Sequence, residues 1–115
     1  SMTRQEIREK IEGFGIYFDP DHPDHISAEK IETLEPPFLE WGTQKRELRA
    51  DGADYVLWEH LTILLYTDTN EDVTVLTEDD RPFEEALADA FDRFSAAKSY
   101  DDELGLYVTE YTMEV

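Results

Sequence analysis

At 115 residues, with 29 Asp and Glu against ten Lys and Arg, the chain carries a formal charge of -19, a self-repelling surface that disfavours nucleic acid and anionic lipid. The length is that of one domain, residues 1–115, and a 40% hydrophobic content with six Phe, six Tyr and two Trp supplies a core that a disordered acidic tail lacks. The absence of Cys excludes thiol catalysis, zinc-thiolate sites and disulfide scaffolds, and no stretch approaches the roughly 18 uninterrupted apolar residues that span a bilayer.

Ser1 ahead of Met2 reads as a remnant of tag removal, and the N-terminus has neither a basic start nor an apolar signal core, so a soluble, unexported chain is expected. From Thr3 to Phe14, Ile7, Ile11 and Phe14 recur at helical spacing among charged residues, which predicts an amphipathic helix ending near Gly13. Ile16 to Phe18 is a short extended run. Asp19 to Pro37 then reads as a long proline-rich loop with a helical turn over Ala28 to Leu34, and its length implies a working role such as contacting a neighbour.

Phe38 to Gln44 reads as a strand, and Asp51-Gly52 as the turn of a hairpin. Tyr55 to Thr67 is the strongest strand, with Tyr55, Leu57, Leu61, Ile63 and Leu65 alternating against Val56, Trp58, His60, Thr62, Leu64 and Tyr66. Both sets are largely apolar. One face is therefore expected to pack on helices and the other to meet a partner subunit. Asp68 to Asp92 concentrates the acidity, with ten acids against Arg81 alone. Pro82 suits the first position of a helix that carries Phe83, Leu87, Ala90, Phe91 and Phe94 as its apolar stripe and runs to about Lys98. Glu84 and Glu85 suit its positive end, so part of the charge is structural. After a loop over Ser99 to Glu103, Gly105 opens a final strand to Val115 in which Tyr107, Thr109, Tyr111, Met113 and Val115 share one face. The predicted fold class is α+β: a small antiparallel or mixed sheet with two main helices packed on it.

No constellation supports catalysis, and the chain is expected not to be an enzyme. Asp19, Asp21, His22, Asp24 and His25 gather oxygen and imidazole groups, but no Gly or closing Glu completes an EF-hand, and turn formation explains the Asp and Pro residues equally well. Neither a metal nor any other cofactor is assigned. A metal-dependent enzyme built on this loop ranks last among the readings and would lose stoichiometric metal on replacement of His22 and His25. His60 stands beside Glu59 but on the opposite side of a strand, a poor geometry for a catalytic pair. Five glycines form neither a phosphate loop nor a dinucleotide motif.

The N-terminal helix, the Pro-Phe-Leu-Glu-Trp strand at Pro37 to Trp41, the long strand through Trp58 to Tyr66, the acidic helix and the closing Tyr-Val-Thr-Glu-Tyr-Thr-Met-Glu-Val run at Tyr107 to Val115 together resemble the tail-terminator and tail-completion proteins of long-tailed bacteriophages and prophages. The resemblance spans most of the chain and rests on element order and the closing strand. It implies a structural subunit without an active site that assembles as a hexameric ring on the tail tube, stops polymerisation and joins the tail to the head connector. The setting it implies is the virion tail, reached through the bacterial host cytoplasm during assembly, with tail tube protein and head-tail connector as partners. The Asp19 to Pro37 loop departs from the family's pattern. Expected contact residues are Trp41, Trp58, His60, Tyr66, Tyr107, Tyr111 and Met113, and Glu78, Asp79 and Asp80 are expected to line an acidic lumen or rim that keeps passing DNA from sticking. The competing reading is an acidic DNA mimic that occupies the site of a DNA-binding protein. It would require rows of exposed acids at phosphate-like spacing, whereas these acids cluster around a helix start.

Overall fold

The computed structural model describes residues 2–50, 53–68 and 74–115, with side chains for all of these except 45–50 and 53–59. Helix α1 (Arg4–Glu12) starts on a capping box: Thr3 Oγ1 accepts from the Glu6 amide at 3.2 Å, and the Thr3 amide donates to the Glu6 carboxylate at 3.4 Å. Two otherwise unpaired backbone donors are satisfied. Ile7 and Ile11, one turn apart, are both fully buried, and Gly13 ends the helix. A single turn, α2 (Ala28–Ile31), is capped by Ser27. Strands β1 (Phe38–Ala50) and β2 (Ala53–Thr67), helix α3 (Phe83–Phe91), and strands β3 (Ser95–Asp101) and β4 (Leu106–Glu114) complete the chain.

The sheet order is β1-β2-β4-β3, antiparallel throughout, so the fold is α+β as the sequence predicts. Alternation sorts its side chains cleanly between two faces. Leu39, Trp41, Leu61, Ile63, Leu65, Tyr111 and Met113 join Ile7 and Ile11 of α1 and Phe83, Leu87 and Phe91 of α3 in the main core. On the opposite face Phe38 stacks on Tyr66 at 4.8 Å, and the residue 19–37 segment folds back so that Ile26 and Ile31 cover the pair. The predicted long loop is thus a lid over the Phe38 and Tyr66 end of the sheet's second face, while His60 farther along the same face is exposed.

Glu40 fastens this lid. Its buried carboxylate accepts the Ile26 amide at 2.7 Å and the Tyr66 hydroxyl. Burial, followed by the bond to Glu40, pushes the Tyr66 phenol well above the ordinary tyrosine range.

Four sequence expectations need correction. The second helix stops at Phe91, seven residues short of Lys98, because Asp92 turns the chain with φ of +69° and Phe94 leaves the helix to pack edge-on against Tyr111. Residues assigned to helix and loop form β3 instead, and Gly105, with φ of +69°, closes its hairpin with β4. Pro82 occupies the N-cap and not the first helical position, since it still bridges to Leu76. Strict alternation along β2 also breaks: the register shifts between Gln44 and Lys45, where His60 and Trp58 are successive partners and Glu59 is the extra residue. The Asp51-Gly52 turn lies outside the described residues.

Candidate interaction surfaces

The first surface is a sheet edge. β1, at one side of the sheet, is partly closed by the chain itself: the Leu39 amide donates to the Tyr17 carbonyl at 2.8 Å and the Trp41 amide to the Pro23 carbonyl at 2.7 Å. β3, at the other side, pairs only with β4, and among the described residues no backbone hydrogen bond from outside the ladder reaches 95–100. Six of its seven residues are exposed, including Tyr100 at 55%. An edge of this kind offers a row of backbone donors and acceptors to another strand.

The second is an extension of the β1-β2 ladder. β4 pairs with β2 only from His60 to Thr67, so the ladder from Lys45↔Trp58 to Ala50↔Ala53 continues as a two-stranded arm. The molecule measures 51 × 30 × 23 Å, elongated for its length. Two-stranded ribbons are marginal in water unless they pack against something.

The third is the acidic turn. Glu78, Asp79 and Asp80 are all exposed, in a turn closed by the Thr77 amide on the Arg81 carbonyl at 2.8 Å and the Asp80 amide on the Thr77 carbonyl at 3.0 Å. The Glu78 amide donates to the Phe14 carbonyl at 3.0 Å, which seats the turn at the end of α1, and a Cβ at Gly15 would collide with the Glu78 side chain. Asp80 takes φ of +59°, tolerable for an aspartate. Arg81 answers the local charge by pairing with Asp89 and, at 3.2 Å, Glu85, and its guanidinium is held more basic still. The part of the acidic stretch at 69–73 lies outside the described residues.

A cleft of about 360 Å³ opens between the start of α3 and the sheet, floored by Leu65, Thr67, Thr109 and Tyr111 with Lys98 and Glu84 at its rim. Thr67 Oγ1 is buried there without a hydrogen-bond partner among the described residues. Tyr111 donates to Glu84 at 3.2 Å, and burial, then the Glu84 charge, raises its phenol above the ordinary range. In the Asp19 to His25 turn, Asp19 Oδ1 accepts the Asp21 amide at 3.0 Å and the His22 amide at 3.3 Å, and Oδ2 lies 3.5 Å from Lys30. These backbone bonds, the Asp21 amide foremost, hold the carboxyl below its usual range. Among the described residues no three His, Asp or Glu side chains converge to hold a metal, and no helix is long and apolar enough to cross a membrane.

The expected contact residues separate accordingly. Trp41, Tyr66, Tyr111 and Met113 are buried in the chain's own interior, between 1% and 7% exposed, because each faces α1 and α3 or the Ile26 lid. They are core residues, and their assignment as contacts is corrected. His60 is exposed and Tyr107 half-buried beneath Tyr100, while the Trp58 side chain lies outside the described residues. Ser-Ala-Ala-Lys-Ser-Tyr has no apolar alternation and so gives no strand signal; the one mark of the β3 edge in the sequence is a run from Arg93 to Tyr100 free of acids. Comparison with protein-family models, curated proteins and solved structures finds no match.

Proposed function

We propose that this chain is a structural subunit of a long-tailed phage or prophage tail, a terminator or completion protein that forms a hexameric ring on the tail tube and joins it to the head connector. The observation that carries the reading is the pair of dissimilar surfaces at opposite sides of one sheet, the open β3 edge and the β1-β2 arm. A ring requires each subunit to offer two different surfaces to its neighbours. The element order and closing strand that resemble tail terminators support the same reading, as does a surface charge that would repel DNA inside a ring.

Electron microscopy of the purified protein, alone and with tail tubes, tests it. Rings capping tube ends are expected; a strictly monomeric particle at high concentration that leaves tubes uncapped would count against it. Salt-sensitive capture by a DNA-binding protein without rings would point to the DNA mimic instead. Exchanging Glu78, Asp79 and Asp80 for Gln and Asn is expected to slow DNA passage, and an unchanged ejection rate would remove these acids from the lumen.

A further inference from the structure

We propose that β3 pairs antiparallel with β3 of a second copy, about a two-fold axis through Ala97, to give a continuous eight-stranded sheet. The edge is open, as described, and its sequence is self-complementary about that residue. Reversed upon itself, the segment sets Arg93 against Asp101, Phe94 against Tyr100, Ser95 against Ser99 and Ala96 against Lys98, with Ala97 against Ala97 at the centre. Each juxtaposition is chemically favourable or neutral: an ion pair at both ends, an aromatic pair inside it, two small hydroxyls, and a methyl beside a lysine stem.

Faces agree as well as pairs. On the existing ladder Ala96, Lys98 and Tyr100 stand beside Tyr111, Thr109 and Tyr107, the helix side of the sheet. Phe94 also packs on Tyr111, so the Phe94 and Tyr100 rings meet on one face. Arg93, exposed two residues ahead of the strand, stands at the end where Asp101 of the second copy arrives. Asp101 Oδ1 accepts the Glu103 and Leu104 amides at 3.0 and 3.1 Å, which fixes the carboxylate at the hairpin turn before any partner arrives.

Charge decides in favour of a second copy. Two chains of -19 repel over most of their surfaces, but Arg93 to Tyr100 holds two bases and no acid, so this edge is where approach is least opposed. The two-fold contact closes on itself and so cannot extend into fibres. The same edge cannot serve both contacts at once, so the two-fold dimer is the state of the free protein and opens before β3 meets a different surface in a ring; a protein that never caps a tube still dimerises if the pairing holds.

The absence of Cys makes the register directly testable. Opposed Cα atoms in an antiparallel pair lie about 4.5–5.5 Å apart, within disulfide reach, whereas a four-residue offset adds about 13 Å along the strand. Under mild oxidation of the full chain, Ala97→Cys is expected to form a covalent dimer at least about tenfold faster than Ser95→Cys or Ser99→Cys alone, and a mixture of the last two to cross-link to each other. In sedimentation, Arg93→Asp is expected to weaken the cysteine-free dimer and Arg93→Lys to keep it, with circular dichroism unchanged in both. Ala97→Cys reacting no faster than Ser99→Cys, or a monomer at every concentration, overturns the proposal.

Discussion

The two outer strands of the sheet are finished in different ways. β1 is sealed where it begins, by carbonyls of Tyr17 and Pro23 and by a lid locked through Glu40, so the outward amides of Leu39 and Trp41 are used up inside the molecule. β3 is left open, short, exposed on both faces and free of acids up to Tyr100. The sealed side commits its aromatic residues to stability, while the open side contributes little to the monomer and keeps its hydrogen-bonding capacity for another chain. Substitutions on the first should therefore change folding without touching association, and substitutions on the second should do the reverse.

The largest effect is expected at Trp41, which lies against Phe18 at 5.8 Å under the Arg4 guanidinium at 5.1 Å. Trp41→Ala should cost about 3–5 kcal/mol in denaturant unfolding, a large share of the total stability of about 5–15 kcal/mol expected of a single domain. A loss below about 1 kcal/mol would show that the β1 side is not the stabilising one. Next comes Glu40→Ala, which strips the Ile26 amide and the Tyr66 hydroxyl of their buried acceptor and should cost about 1–3 kcal/mol. Hydrogen exchange should then rise first around Ile26 and Ile31, and uniform protection would contradict the lid.

Alkaline pH sharpens the contrast. Tyr66 and Tyr111 have folded phenol pKa values above the ordinary value of 10, so the unfolded chain loses these protons first. Their contribution is complete below pH 10 and is lost as pH rises from there towards the folded values. Urea midpoints should fall over that window, and Tyr66→Phe with Tyr111→Phe should flatten the fall. The smallest effect on folding belongs to β3: Tyr100→Ser, which removes a half-exposed ring from Tyr107, should change monomer stability by no more than about 1 kcal/mol while weakening self-association.

How much of this was legible in the sequence follows from burial. Helix α1, the body of β2, the start of α3 and the inward face of β4 announce themselves because one side of each is buried and the other is wet, which writes a period of 3.6 or 2 into the residues. β3 has no buried side and so no pattern. The lid is equally silent: Ile26 and Ile31 are scattered among Asp and Pro, and the carboxylate that anchors it lies 14 residues from one partner and 26 from the other. Trp41, Tyr66, Tyr111 and Met113 read as contact residues because both strand faces are apolar, and hydrophobicity alone does not say whether the covering surface belongs to the same chain.

The central contrast is most directly measured by amide hydrogen exchange along the backbone as protein concentration is raised. The amides of Leu39 and Trp41 should stay protected at every concentration, while the outward amides of β3 exchange quickly in dilute protein and become protected as copies pair. Outward β3 amides that exchange at the same rate in dilute and concentrated protein would contradict the account.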